Sequence, residues 1–358
     1  MTLSEDFLRS YGAVWDESNT RIHHYGRPNR EQLAVRNGVG ITLHPYDLLR
    51  ITGDDRIEFV DNVVTNAVAE TAGSGVYALL LNPDGSIRFD LSIYTTADQL
   101  MIALPAGIGA DVASTWSEKI FIQDVEIHEV STDYTIFGVY GPDSPRKVQR
   151  VASLSTLPST PWAFSQSRIG DTGVTIIRTD NPLGEPGFHV VCDAAGAEEL
   201  FTALITDGEQ AIPFGTQTWE ALTLEAGTPI YPHDLEGNLP NEIGCRSGLD
   251  FDKGCFVGQE IVSRIENRGR PPRRLVGVSA ENPFNSSDTV YEGSTDIGHI
   301  TRASWSEAAA ATIGFALIEY SIDADTLTVE SADGRIPVSV HPFPFVAGST
   351  RSKRIPQF

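Results

Sequence analysis

The segment Asp252-Lys253-Gly254-Cys255-Phe256-Val257-Gly258-Gln259-Glu260 is the chemically densest part of this sequence, and it lies just before the chain changes character. Two glycines bracket a cysteine, and glycine lets a backbone turn tightly or approach a ligand closely. A lysine ammonium near a cysteine favours the reactive thiolate form. Local chemistry leaves two interpretations open: a reactive or ligand-facing thiol, or a buried structural cysteine beside the start of a helix.

The pattern of strand-like and helix-like runs differs on the two sides of this segment. After Pro271-Pro272 it breaks into short β-branched runs separated by Gly, Asn, Asp and Ser, which predicts a small antiparallel β-barrel. Before it, strand-like and helix-like runs alternate without the regular rhythm of a parallel sheet. We therefore predict an α+β fold with three parts: an N-terminal extension over 1–36, an α+β body over 37–270 with two subdomains that meet near 135–170, and a barrel with a tail over 271–358.

The composition limits the function. Of the 358 residues 41% are apolar, which is enough for a substantial core. The formal charge, 26 − 48 = −22, disfavours broad binding to nucleic acid or anionic lipid, and its self-repulsion favours a monomer. Three cysteines are too few for a disulfide framework or a metal cluster, which predicts a reducing, cytoplasmic location. Residues 1–36 lack the apolar core of a signal peptide, and no apolar run reaches the ~18 residues of a membrane span.

Two carboxylates stand in unusual sequence surroundings. Glu225 falls in the last turn of a predicted helix among apolar neighbours, where the helix dipole disfavours an anion by up to ~1 kcal/mol, so it needs a partner. Asp90 lies in Ile87–Ile93, whose alternation places it on the polar face of a strand. The ordinary interpretations are a surface glutamate at a frayed helix end and a strand face turned to water.

The octapeptide Lys253–Glu260, K-G-C-F-V-G-Q-E, closely resembles the signature of the YgfZ family of folate-binding proteins, which is related to the T protein (aminomethyltransferase) of the glycine cleavage system. Leu224–Leu235 resembles the L-E-A-G…Y…D-L segment of that superfamily, and Phe59–Val68 and Leu81–Leu91 resemble its N-terminal landmarks. The resemblance covers about residues 45–345. It implies a T-protein-like body of subdomains around a central folate channel.

The same resemblance implies roles for individual residues. Glu225 would recognise the pterin, whose exocyclic amine and adjacent ring N–H match two carboxylate oxygens. Cys255 would be the working thiol, and Asp90 falls near the acid that acts beside the folate nitrogens in the T protein. Tyr231 and Lys253 lie inside the matching segments and would bind the cofactor.

An arginine-rich run, Arg264–Arg274, stands out in this acidic chain. Arginine suits bidentate contacts to carboxylates, so Arg264 and its neighbours would form a basic rim for the glutamate tail of a folate. A contact surface for a partner and a solvated interdomain linker paired with local acids are the other interpretations.

Tetrahydrofolate, or a derivative, is the implied cofactor. The first functional hypothesis is an accessory protein for the assembly or repair of iron–sulfur enzymes, which would be its partners, working through the loop around Cys255. The alternative is a folate-dependent aminomethyltransferase or demethylase, and a third is a scaffold that has lost its ligand. The octapeptide favours the first hypothesis, because related transferases lack it, and Asp90 favours the second.

Overall fold

The computed structural model describes residues 3–332 and 334–358, apart from the side chain of Arg268. Helices and strands are mixed along the chain. The strands are β1 Val14–Trp15, β2 Ile22–His24, β3 Val39–Leu43, β4 Tyr46–Thr52, β5 Ser74–Leu81, β6 Ile87–Thr95, β7 Leu100–Pro105, β8 Glu126–Glu129, β9 Tyr134–Tyr140, β10 Phe164–Ile169, β11 Thr172–Arg178, β12 Gly187–Asp193, β13 Ala211–Pro213, β14 Arg273–Ala280, β15 Thr289–Glu292, β16 Thr295–Ser306, β17 Ala311–Glu319, β18 Thr326–Ser331 and β19 Gly334–His341. The helices are α1 Glu5–Ser10, α2 Pro28–Asn37, α3 Arg56–Asp61, α4 Gly109–Ser117, α5 Ser144–Val151, α6 Ala197–Thr206, α7 Thr216–Glu225, α8 Pro240–Ile243 and α9 Gln259–Arg268.

The first sheet has the antiparallel order β5-β6-β7-β4-β8. Its β5–β6 hairpin turns at Asn82–Gly85, where Gly85 adopts a φ of +80° that favours glycine. The turn sequence Asn82-Pro83-Asp84-Gly85 is typical of a tight hairpin. One face of β6 is buried in apolar cores through Ile87, Phe89, Leu91 and Ile93, so the intervening polar side chains point the other way.

The second sheet has the order β10-β11-β12-β9-β3-β13, and its β3–β13 pair is parallel. Strand β3 precedes the whole first sheet in the chain but pairs with β9, so the two sheets are interleaved in sequence. The apolar side chains of β3, β9 and β12 pack with α6 into one core. Because β3 leads directly into β4, the residues at 44–46 lie where the two sheets meet.

The C-terminal strands close into the barrel β14-β17-β16-β15-β18-β19, which confirms the predicted α+β fold with an antiparallel β-barrel. A register shift in β16 between Ile300 and Arg302 turns two successive side chains towards the body. There the Thr301 hydroxyl donates to Asp234 at 2.6 Å, and Arg302 pairs with the same carboxylate at 2.9 Å, with both members of the pair buried. This contact fixes the barrel on the segment that follows α7.

The chain after β19 runs back over the body. The Thr350 N–H donates to the carbonyl of Gly184 at 3.0 Å, and the Gln357 N–H donates to that of Gly244 at 3.1 Å. We call residues 347–358 the C-terminal tail. In the part of the chain that the structure describes, no helix has the length and apolar character needed to cross a membrane.

Candidate functional site

Two adjoining voids lie where both sheets of the body, α7 and the C-terminal tail meet. The inner void has a volume of about 50 Å³ and the outer void about 130 Å³. Aromatic rings dominate the wall of the inner void: Tyr46, Tyr77, Tyr94, Tyr140, Trp162 and Trp219. Both voids are bordered by Asp90 and Arg354, and we call the two together the central site.

Asp90 points from β6 into the central site. Its position on the polar face of the strand agrees with the sequence pattern, but this face meets the second sheet and the tail and not bulk water, so the side chain is only 17% exposed. The Tyr77 hydroxyl donates to Asp90 Oδ2 at 3.1 Å. Burial raises the pKa of Asp90, and the nearby Arg354 guanidinium partly offsets this. A carboxyl group of this kind is suited to proton transfer.

Arg354 brings the C-terminal tail into the central site. Its guanidinium donates twice to Asp180, at 2.8 and 3.1 Å, and Ser352 donates to the same carboxylate at 2.8 Å. It also lies 3.9 Å from Asp90 Oδ2 and 5.1 Å from the ring centroid of Tyr77. One arginine therefore faces two carboxyl groups, and the cluster of Asp90, Asp180 and Arg354 carries a net charge of −1 when both acids are ionised.

Two buried histidines share the hydroxyl of Tyr140 at this site. His44 Nε2 lies 2.8 Å from the Tyr140 oxygen, and His189 Nε2 lies 2.9 Å from it. The packing depends on two glycines, because a Cβ at Gly138 would lie 2.5 Å from His44 Nε2 and one at Gly187 would lie 2.3 Å from the Tyr140 ring. His189 also borders a third void of about 360 Å³ between the two sheets.

Glu225 is placed elsewhere. Its carboxylate is buried, with Oε2 accepting hydrogen bonds from Arg36 at 2.6 and 2.9 Å and Oε1 accepting one from Ser306 at 2.6 Å. An anion at the end of a helix requires a partner, and Arg36 on α2 and Ser306 in the barrel supply it. Glu225 borders neither void and thus lies outside the central site, and its contact with a pterin stays a prediction.

The Cys255 loop also lies outside the central site. Cys255 is exposed, whereas Cys192 and Cys245 are buried, and it borders neither void. Lys253 points away from the cysteine into the body, where its ammonium contacts the carbonyls of Val64 and Asn66 at 3.0 and 3.2 Å, the carbonyl of Asp61 and the Asp61 carboxylate at 3.2 Å. Lys253 therefore serves to anchor the loop.

The arginine run does not form a rim on the central site. Arg264 is exposed on α9 and pairs with Glu260 one turn away at 3.0 Å. Arg273 begins β14 and pairs with the buried Glu242 at 2.7 Å. The side chain of Arg268 lies outside the described part of the chain. The run is thus divided between a helix and a strand and is not one linker.

The structure brings together two of the residues singled out in the sequence, Asp90 and Tyr231. Tyr231 borders the outer void, and its hydroxyl donates to Glu236 at 3.3 Å. Five polar residues of the central site that matter for its chemistry carry no signal in the sequence, namely His44, Tyr140, Asp180, His189 and Arg354. No local pattern marks them, although histidine is scarce in this chain, with eight in 358 residues. In the described part of the chain, no group of three or more His, Cys, Asp or Glu side chains is arranged to hold a metal ion.

Comparisons with known proteins agree with this architecture. Residues 8–253 match the GCVT N-terminal domain, and residues 273–347 match the glycine cleavage T-protein C-terminal barrel domain. An aminomethyltransferase from Thermosipho melanesiensis is 26% identical over 333 residues, 90% of each chain, and one from Anoxybacillus flavithermus is 28% identical over 311 residues, 84% of each chain. The crystal structure of the glycine cleavage system aminomethyltransferase T from Bartonella henselae superposes with a TM-score of 0.86 at 19% identity, over 97% of this chain and 98% of that one. This chain belongs to the glycine cleavage T-protein family.

Proposed function

We propose that this protein transfers a one-carbon unit from an amine to a reduced folate bound at the central site, a reaction of the aminomethyltransferase type. The observation that carries the proposal is the Asp90 carboxyl group, which faces an aromatic-walled void and whose pKa is raised by burial. The relatives named aminomethyltransferase support the same reaction class.

The residues present fit a flat heterocycle. Stacked or edge-on aromatic side chains favour a planar ring, and the inner wall supplies six of them. Ligand pockets usually enclose ~300–1,000 Å³, whereas the two voids measure about 50 and 130 Å³. We therefore expect one ring system to enter the central site, while the rest of an elongated ligand lies at the mouth of the outer void near Tyr231. A bound reduced folate would supply the nitrogen that accepts the one-carbon unit.

The charges at the site fit an amine donor. Asp90, Asp180 and Arg354 leave one negative charge uncompensated, which favours a protonated amine over an anion. The ionised Asp90 carboxylate would take up the proton that the reaction releases, because burial raises its pKa and makes it a stronger base than an exposed aspartate. Arg354 and Tyr77 hold the carboxyl group in place.

The test combines calorimetric binding of tetrahydrofolate with turnover of an aminomethylated lipoyl carrier protein. The Asp90→Asn variant keeps the shape of the side chain and should bind tetrahydrofolate within about threefold of wild type, while turnover falls by ~10²–10⁴-fold. Asp98→Asn, at an exposed carboxylate bonded to Thr96, is the matched control and should change neither. If the wild-type protein binds no tetrahydrofolate, or if Asp90→Asn turns over normally, the proposal fails.

A second candidate function follows from the exposure of Cys255. An accessible thiol on a loop tip that borders neither void suits an accessory role towards iron–sulfur enzymes, acting on another protein. The Cys255→Ala variant should then fail to restore iron–sulfur enzyme activities in a strain that lacks the gene, whereas Val257→Ala on the same exposed loop should restore them. Full restoration by Cys255→Ala would refute this role.

A further inference from the structure

The hydrogen bonds around Tyr140 restrict which ring nitrogens of His44 and His189 can carry a hydrogen. Tyr140 is fully buried, and its oxygen lies within hydrogen-bond distance of one ring nitrogen from each of His44 and His189. A phenol has one hydrogen to donate, so it donates to one imidazole and must accept from the other. The two Nε2 atoms are therefore opposite in kind: one carries a hydrogen and the other does not.

Both imidazoles are neutral in this setting, so each ring carries one hydrogen on one of its two nitrogens. Burial lowers the pKa of His189 to about 4, and burial together with the neighbouring His189 lowers the pKa of His44 as well. Asp180 and Arg354 are the charged groups that influence the pKa of His189, and they are paired with each other. A neutral imidazole carries one hydrogen, so the state of Nε2 fixes the state of Nδ1 in the same ring.

The Nδ1 atom of His189 lies at one end of the series of hydrogen bonds that links His44, Tyr140 and His189. The residue is 6% exposed, its side chain borders the inner void and the void between the two sheets, and no hydrogen bond to its Nδ1 is present among the described residues. A ring nitrogen that has no hydrogen-bond partner within the protein is available to a ligand or to water. The atom is therefore placed for contact with a molecule bound in the voids that His189 borders.

We propose that Tyr140 and His44 are positioning residues that couple the tautomers of the two imidazoles, so that His189 Nδ1 serves a bound ligand as a hydrogen-bond donor in one state and as an acceptor in the other. In the donor state His44 donates to Tyr140 and Tyr140 donates to His189; in the acceptor state both bonds are reversed. Both states keep both internal hydrogen bonds, so the ligand selects between them at little internal cost.

The switch between the states is balanced in protons. One proton moves along each of the two hydrogen bonds towards His189, the proton on His189 Nδ1 leaves, and one proton is taken up on His44 Nδ1. The total number of protons and the charge are unchanged. A carboxylate at this place would only accept, and an ammonium would only donate, so neither could serve both kinds of ligand.

This inference rests on the proposed function for the identity of the ligand. Pteridine rings differ with oxidation state in the required way: ring nitrogens that carry a hydrogen in the tetrahydro form are bare acceptors in the fully oxidised form. Because the His189 ring can adopt either tautomer, its Nδ1 keeps a hydrogen bond to either form of the pteridine. We therefore expect wild-type protein to bind tetrahydrofolate and folic acid with affinities that differ by less than about 10-fold.

The coupling is tested without any ligand by ¹⁵N nuclear magnetic resonance of histidine-labelled protein. The spectrum of the wild type should show opposite states at the two Nε2 atoms, and Tyr140→Phe should abolish this relation. Tyr94→Phe is the matched control, since it removes a buried hydroxyl from the same void, for which the described residues offer no hydrogen-bond partner, and it should leave the tautomers unchanged. Two protonated Nε2 atoms in the wild-type spectrum would overturn the coupling, whether or not the variants fold.

The proposed hydrogen bond between His189 Nδ1 and the ligand is tested with the variant His44→Phe. With His44 gone, His189 is the one imidazole left to accept the Tyr140 hydrogen, which favours the state in which Nδ1 is a donor. The ratio of the affinities for folic acid and tetrahydrofolate should then shift by about 10-fold in favour of the compound that presents a bare nitrogen. An unchanged ratio would refute the inference. If neither compound binds the wild type, the proposed function fails, and the spectrum alone decides the coupling.

Discussion

The ion pair between Arg36 and Glu225 gives the sharpest test of the structure against the sequence. If Glu225 contacted a pterin, its replacement by glutamine would weaken ligand binding and leave the fold intact. In the structure the same carboxylate joins α7 to α2 and to the barrel, because Arg36 and Ser306 are its partners. We therefore expect Glu225→Gln to destabilise the protein and to leave the affinity for tetrahydrofolate unchanged.

The expected loss in the free energy of unfolding depends on the partners that Arg36 retains in the variant. Breaking a buried ion pair by removing one partner costs ~3–5 kcal/mol, because a buried charge is left without compensation. After Glu225→Gln, Arg36 retains the carbonyl of Leu183 at 2.9 Å and the Glu185 carboxylate at 3.5 Å. The loss should thus be about 3 kcal/mol. Arg36→Met leaves two buried carboxylates, Glu185 and Glu225, without their cation and should cost about 5 kcal/mol.

The assay is urea unfolding followed by tryptophan fluorescence, with the free energy of unfolding obtained by linear extrapolation. The double variant should lose less than the sum of the single variants, since both remove the same contact. Glu58→Gln, at an exposed carboxylate, is the control and should stay within ~0.5 kcal/mol of wild type. A loss below about 1 kcal/mol for Glu225→Gln, together with lost tetrahydrofolate binding, would refute our placement of this residue.

Three further predictions concern other sites. His189 has a pKa of about 4 in the folded protein against 6.5 for the ordinary side chain, so its contribution to stability is complete above pH 6.5 and is lost as the pH falls towards 4. The variant His189→Gln should therefore show a weaker dependence of the free energy of unfolding on pH between 6.5 and 4. The same dependence as in the wild type would contradict the assigned burial. Lys253→Met leaves buried carbonyls without a donor and should cost about 3 kcal/mol by urea unfolding, against less than ~0.5 kcal/mol for the exposed Lys119→Met. Gly258→Ala would place a Cβ 2.8 Å from the Asn82 carbonyl at a φ of +81° and should cost ~1–3 kcal/mol; equal stability to wild type would show that the loop shifts freely.

The sequence determined the features that depend on neighbours along the chain. The β5–β6 hairpin follows from the preferences of Asn82-Pro83-Asp84-Gly85, and the barrel follows from short β-branched runs. The alternation in β6 put Asp90 on the polar face of its strand. Gly258 also packs on this hairpin turn, since a Cβ there would lie 3.0 Å from Gly85 Cα, so two segments singled out by the sequence meet in the fold.

Tertiary structure decided which side chains meet at the site. Asp180 and Arg354 are 174 residues apart, and Glu225 and Arg36 are 189 apart. His44, which follows β3, and Tyr140, on β9, are separated along the chain by the strands of the first sheet. A buried charge or ring nitrogen requires a partner, but the sequence does not say whether a ligand or another part of the chain supplies it. Local propensities fix strands and turns because they act over a few residues, whereas the partner of a buried polar group is fixed only when the sheets, the barrel and the tail have packed together.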